Sequence, residues 1–174
     1  MFKGKIVAEG TLLADRNECV AALNSVALDA GESVTKALLE TEGRCSGVFV
    51  AGNGGSAATT SHMTNDNHVV FTSTGNYLGS DHVFSRELRR LAQTQDLLIA
   101  VSVLGNSQNV LACVEAAKEL GLIIEAFIGF DSGRLATMAV LFARIPTIEG
   151  TYGPVQDFHV MVNHMITEQL KDVN

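Results

Sequence analysis

Short apolar runs alternate with amphipathic segments along most of this chain, and this alternation constrains the fold more than any other feature. Four runs have the length and continuous apolar character of buried strands: SGVFVAG (46–52), DLLIAVSV (96–103), LIIEAFIGF (122–130) and VLFARIP (140–146). Strands that alternate with helices form βαβ units, in which helices cover both faces of a mainly parallel sheet. We therefore predict an α/β fold, doubly wound, with a mainly parallel sheet flanked by helices.

The segments between these runs carry apolar residues at helical spacing. Helices are predicted over 3–41 (as two helices), from Ser56 onward, and over 81–95, 107–121 and 154–173. Ser107 can cap the helix that follows it, and Gly121 can end that helix. VVFTS (69–73) is short and rich in β-branched residues, so it predicts a further strand.

Composition narrows the classes of function. The chain has 174 residues, 47% of them hydrophobic, which suits one domain with a sizeable core. Its formal net charge of −7 disfavours binding to nucleic acid. No apolar run reaches the roughly 18 residues of a membrane span, and the first residues lack a signal-peptide pattern. We expect a cytoplasmic protein without nucleic-acid or membrane partners.

Two loops that follow predicted strands combine glycine with serine. GNGGS (52–56) begins at the end of the first strand, and SVLGNS (102–107) begins at the end of the strand at 96–103. Glycine lets the backbone approach a ligand closely, and the free N–H groups of a helix start favour an anion. The carboxyl ends of parallel strands share one sheet edge, so the loops are expected to meet there and to hold a phosphorylated ligand. The alternative for a single loop is a tight turn with a serine cap.

Histidine and acidic residues suggest a metal ion or an acid/base pair. His62 and Asp66 are four residues apart, which places them on one face of a helix. Gln156 and His159 share a face of the last helix. His164 follows Gln156 by eight residues, or about 12 Å along the axis. Two side chains so far apart reach one ion only with difficulty, so some ligands could come from a neighbouring subunit.

Several motifs together resemble the sugar isomerase (SIS) domain of the phosphoheptose isomerase group. They occur in the order AGNGGSAA (51–58), His62, TGNYLGSDHVFSREL (74–88), GNS (105–107), GFDSGRLA (129–136) and QDFHVMVNH (156–164). The resemblance covers most of the chain from residue 46 onward. It implies a single SIS domain over 1–174, with an N-terminal helical segment (1–44) and a nucleotide-binding-like α/β core (45–174).

The same resemblance implies a function and a set of site residues. Members of this group are homotetrameric ketose–aldose isomerases of sedoheptulose 7-phosphate, often contain zinc, and have their sites at subunit interfaces. The implied catalytic residues are Asp66 and His164, and the implied zinc ligands are His62, Asp66, Gln156 and His164. The implied substrate-binding residues are Asn53, Gly54, Gly55, Ser56, Asn76, Ser102, Ser107 and Gln156. The implied reaction moves a proton between adjacent carbons through an enediol(ate).

Some positions depart from the group's pattern. Val103 and Leu104 replace hydroxyl residues of the phosphate loop, and Asp66 replaces a glutamate. Tyr77 replaces an aspartate, and the segment at 67–74 is shorter than in the group. The apolar loop residues favour a second hypothesis, a non-catalytic SIS domain that binds a sugar phosphate or a protein partner in regulation. A third hypothesis, a metal-dependent hydrolase that uses the same histidines, leaves the two glycine loops unexplained.

Overall fold

A parallel sheet of four strands occupies the centre of the computed structural model. The structure describes residues 16–17, 20–21, 28–57, 60, 68–131, 133–139, 141–145, 150 and 152–171. The strands are β1 (Val48–Gly52), β2 (Leu97–Ser102), β3 (Ile123–Gly129) and β4 (Leu141–Ile145), and they pair in the order β1-β2-β3-β4. The predicted parallel sheet is confirmed, and each strand lies inside the apolar run that predicted it.

The described helices lie before, between and after the strands in the chain. They are α1 (Leu28–Gly43), α2 (His68–Leu78), α3 (Val83–Leu91), α4 (Gln108–Leu120) and α5 (Tyr152–Lys171), with 3₁₀ turns at Ser80–His82 and Arg134–Thr137. Gly121 ends α4 in the left-handed conformation with φ 76°, as predicted. None of the described helices is long and apolar enough to cross a membrane.

Successive residues of β2 and β3 supply two separate cores. In β3, Ile124, Ala126 and Ile128 pack in the cluster that contains the buried face of α4, whereas Phe127 packs in the cluster that contains α1 and α5. Right-handed crossovers between strands that lie in chain order place the connecting helices on one face. The other face is therefore left to α1, which precedes β1, and to α5, which follows β4. In this arrangement α5 packs across that face of the sheet.

The predicted strand at 69–73 is wrong, because residues 68–78 form α2. The β-branched residues of this segment favour a strand locally, but they lower helix propensity by only a few tenths of a kcal/mol each. Packing decides such a balance, and α2 contacts α3 in the folded chain. The predicted helix at 81–95 also ends early, since Ala92 is extended after Leu91.

Two buried titratable groups lie on the α5 side of the sheet. Glu125 is 0% exposed, and neither carboxylate oxygen has a hydrogen-bond partner among the described residues. Burial raises the pKa of Glu125 to about 7. His159 stacks on Phe127 with ring centroids 5.8 Å apart. Burial lowers the pKa of His159 to about 4, and the nearby backbone of Ile128 opposes this change only in part.

Glu125 gives a testable dependence of stability on pH. The unfolded carboxyl ionises above pH 4.5, whereas the folded one keeps its proton to about pH 7. The folded state is therefore disfavoured progressively as pH rises through this window, by about 3 kcal/mol at most. Replacing Glu125 by glutamine should remove this loss, so the free energy of unfolding in urea should fall less between pH 5 and pH 8 than in the wild type.

His159 acts in the opposite direction, because its lowered pKa costs stability as pH falls from 6.5 toward 4. His159 is present in both the wild type and Glu125→Gln, so its contribution cancels when their free energies of unfolding are compared. Glu115→Gln, at an exposed position of α4, is the matched control and should keep the wild-type slope. Parallel pH profiles for Glu125→Gln and the wild type would contradict the assignment.

Candidate functional site

The loops after β1 and β2 meet at the carboxyl edge of the sheet. Gly52 pairs with Val101, so the two strands end side by side and their loops leave the sheet together. Between them lies a cavity of about 200 Å³. It is lined by Asn53, Gly54, Gly55, Ser56, Val101, Ser102, Val103, Leu104, Ser107, Tyr152 and Gln156. The two glycine–serine loops thus meet at one edge of the sheet, as the sequence predicted.

Glycine is required at two positions of the first loop for different reasons. Gly54 has φ +53°, a left-handed conformation that residues with a side chain rarely adopt. At Gly55, a Cβ atom would overlap the carboxamide of Gln156. Residues 55–57 are already helical, and the Ala57 N–H donates to the carbonyls of Asn53 (3.2 Å) and Gly54 (3.0 Å). The loop is a tight helix start with the Gln156 side chain lying directly against it.

Hydroxyl groups of the second loop face each other across its turn. The Oγ atoms of Ser102 and Ser107 are 3.3 Å apart, and the Gly105 N–H donates to Ser102 Oγ at 3.2 Å. The predicted side-chain cap by Ser107 is wrong, since its hydroxyl makes no capping bond to α4. The Ser107 hydroxyl lies beside that of Ser102 instead, and both residues belong to the cavity lining.

The two loops are joined by a pair of asparagine side chains. Asn53 Nδ2 donates to Asn109 Oδ1 at 2.7 Å, and Asn109 Nδ2 donates to Asn53 Oδ1 at 2.9 Å. Asn109 Oδ1 also accepts the Val110 N–H at 2.9 Å, in the first turn of α4. Sequence reasoning named Asn53 as a substrate-binding residue but missed Asn109.

Val103 belongs more to the core than to the cavity. It is 6% exposed and packs in the cluster under α5, while its carbonyl accepts the Gly129 N–H at 3.0 Å. A Cβ atom at Gly129 would lie 2.7 Å from Val155 Cγ1, so the loop and α5 are closely packed there. The apolar side chain of Val103 is accounted for by this packing, whereas Leu104 is only partly buried.

Tyr152 lies one helical turn before Gln156 and also lines the cavity. Its ring stands edge-on to Phe130 with centroids 5.3 Å apart, and it remains 43% exposed. Phe130 has φ 47°, a rare conformation for a residue with a side chain. Sequence reasoning missed Tyr152, because the predicted helix began at residue 154, whereas α5 begins at Tyr152 and so places it one turn before Gln156.

Comparison with known proteins identifies the family. The SIS domain model matches residues 60–129. The phosphoheptose isomerase of Rhodospirillum rubrum is 31% identical over 144 residues, which are 72% of this chain and 76% of that protein. That of Mycobacterium tuberculosis is 30% identical over 165 residues, 84% and 83% of the two chains. This chain belongs to the phosphoheptose isomerase family.

A solved structure agrees with this result. The phosphoheptose isomerase GmhA of Neisseria gonorrhoeae matches with a TM-score of 0.87 at 25% identity, over 95% of this chain and all (100%) of that one. The resemblance that the sequence motifs indicated is therefore confirmed, and so is the α/β SIS fold.

The remaining residues that the family resemblance implied lie in different places. Gln156 lines the cavity, but Asn76 is exposed on α2 and is outside the lining. His164 is exposed on α5, two turns beyond Gln156. His62 and Asp66 lie outside the described residues. Within the described ranges, no group of three His, Cys, Asp or Glu side chains could hold a metal ion.

The contact between Gly55 and Gln156 can be tested by adding one methyl group. Gly55→Ala should displace the Gln156 carboxamide, because the new Cβ overlaps it, and should weaken binding of sedoheptulose 7-phosphate at least about tenfold. Isothermal titration calorimetry measures the affinity. Gly43→Ala is the control, since a Cβ atom there meets nothing within 4 Å. Equal affinities for Gly55→Ala and the wild type would show that Gln156 has no fixed position in the site.

Proposed function

We propose that this protein is a ketose–aldose isomerase of a sugar phosphate, with sedoheptulose 7-phosphate as its substrate. The convergence of the two glycine–serine loops on one cavity carries the proposal. Relatives named phosphoheptose isomerase, at 30 and 31% identity over most of their length, support the reaction class.

The phosphate is proposed to lie between the two loops. Backbone N–H groups at the starts of two helices carry partial positive charge, which favours a dianion without any basic side chain. The hydroxyls of Ser102 and Ser107 share one hydrogen bond, which leaves the hydrogen of one of them free to donate to the phosphate. The chain has a net charge of −7, and none of the described lining residues is basic, so the proposed attraction comes from these local dipoles and not from the overall field. Binding energy at the phosphate then positions the distant end of the sugar.

The sugar is proposed to extend toward α5. Gln156 Oε1 and Nε2 can accept from and donate to sugar hydroxyls, and the Tyr152 ring supplies an apolar wall beside it. Isomerisation requires a base that removes a proton from the carbon next to the carbonyl and returns it to the neighbouring carbon. The family resemblance assigns this role to Asp66 or His164.

His164 is proposed to serve the site of a neighbouring subunit in a homotetramer. It lies about 12 Å along α5 from Gln156. This distance is too long for the two side chains of one helix to contact the same part of a sugar. Met161 and Met165 flank His164 and are 40% and 45% exposed. Apolar side chains exposed around a functional histidine are what a subunit contact would cover.

The described residues alone do not form a zinc site, and His62 and Asp66 lie outside them. Gln156 is a neutral ligand, His164 is two turns away, and no group of three His, Cys, Asp or Glu side chains that could hold a metal ion occurs in the described ranges. The proposed ligand set of His62, Asp66, Gln156 and His164 is tested by measuring the zinc content of the purified protein and of His164→Ala, which should lose any bound zinc.

The proposed reaction is tested by incubating the purified protein with sedoheptulose 7-phosphate, with and without added zinc. The aldose product should form, and His62→Ala should reduce its rate at least about a hundredfold, as expected for loss of a group in the reacting centre. Sedimentation of the same sample should give a tetramer. Binding of the sugar phosphate without turnover would favour the non-catalytic SIS domain, and unchanged turnover in His62→Ala would refute the role given to that residue.

Tyrosine fluorescence offers a direct report on the cavity. The chain has two tyrosines and no tryptophan, so its emission comes from Tyr152 in the cavity lining and from Tyr77, which is 84% exposed on α2. In Tyr77→Phe, emission should change saturably as sedoheptulose 7-phosphate is added, because the ligand alters the surroundings of the Tyr152 ring. Tyr152→Phe, which keeps only Tyr77, is the control and should not respond. A response from Tyr77 alone would place the ligand elsewhere.

A further inference from the structure

The carboxamides of Asn53 and Asn109 form a closed pair of hydrogen bonds between residues that are 56 positions apart in the chain. Asn53 is the first residue after β1, and Asn109 lies in the first turn of α4. The pair therefore connects the start of the first loop to the helix that ends the second loop.

The backbone fixes the direction of both bonds. Asn109 Oδ1 accepts the Val110 N–H at 2.9 Å, a position where the amide nitrogen would place donor against donor. Since the oxygen is fixed there, the other position of the Asn109 carboxamide is Nδ2, which donates to Asn53 Oδ1. The helix start thus sets the orientation of Asn109, and Asn109 sets that of Asn53.

The sheet alone does not hold the first loop at this distance from the second. The pairing between β1 and β2 ends with Gly52 and Val101. Gly54 has no side chain to pack against the second loop, and even an added Cβ atom there would meet nothing within 4 Å. The asparagine pair extends the connection one residue beyond the sheet, to the rim of the cavity.

We propose that Asn109 is a positioning residue for ligand binding: through Asn53 it keeps the two loops at the spacing at which their donors meet one phosphate group. This inference rests on the proposed function of the same cavity. Asn53 then contributes mainly through its backbone and its position, because its side-chain oxygen and one amide hydrogen are engaged by Asn109. Asn109 itself is absent from the cavity lining.

The test is a double-mutant cycle on Asn53→Ala, Asn109→Ala and the double variant. Calorimetry measures the dissociation constants of sedoheptulose 7-phosphate and of inorganic phosphate. Two neutral hydrogen bonds hold the loops, so each single variant should weaken both ligands about tenfold. The double variant should be no weaker than the single ones, because all three lack the same pair. Where turnover is measurable, KM of these variants should rise about tenfold and kcat should change far less, since the contacts to the phosphate are remote from the reacting carbons.

Gln169→Ala is the matched control. The Gln169 carboxamide also takes part in a long-range hydrogen bond, in which its Oε1 accepts from Thr35 Oγ1 at 2.7 Å, but neither residue lines the cavity. This variant should lose some stability and keep wild-type affinity. Urea unfolding of every variant separates a folding defect from a binding defect, and two independent single variants are available should one fail to fold.

The outcomes separate this inference from the proposed function. Three results would overturn the positioning role even in an active isomerase: wild-type affinity in Asn109→Ala, losses of affinity that multiply in the double variant, or an equal loss of affinity in Gln169→Ala. Binding by the wild type without turnover would refute the proposed isomerase activity. The dissociation constants of the double-mutant cycle would still decide the role of Asn109. A wild type that binds neither probe would overturn both.

Discussion

The parallel pairing of β1 with β2 is the constraint on which the site depends. Because Gly52 lies opposite Val101, two strands that are separated by more than forty residues of sequence end at the same level of one sheet edge. The strand pairing therefore places both loops beside one cavity, independently of any side-chain contact between them. A shift of this register by one residue would turn every buried side chain of a strand to the opposite face, so the two cores hold the site geometry in place.

The last helix completes the cavity for a related reason. Strands in chain order leave one face of the sheet free of crossovers, and α5 packs there through Val155, Phe158 and Val162. Its N-terminal end is thereby held over the loop that follows β1, where Gln156 lies against Gly55. Gly55 and the long Gln156 side chain form one contact. A shorter side chain on α5 would leave a gap there, and a larger residue in place of Gly55 would overlap Gln156.

Local sequence signals predicted the fold well because β2 and β3 are buried on both faces and read as continuous apolar runs. The same signals failed at 69–73, where β-branched residues belong to α2, since local propensity is weaker than packing. The cavity loops were predictable because glycine and serine directly follow strands. Asn109 and Tyr152 were missed, because their importance lies in contacts with Asn53 and Phe130, which are distant in the chain.

The sequence by itself determined the family, the alternation of strands and helices, and the placement of glycine–serine loops after two strands. These properties are local, since each depends on residue types within a few positions of one another. The tertiary structure alone decided which side chains face the cavity, that Val103 serves the core, and that His159 and Glu125 are buried away from it. Those outcomes depend on which elements pack together, and packing is a property of the whole folded chain and not of any one segment.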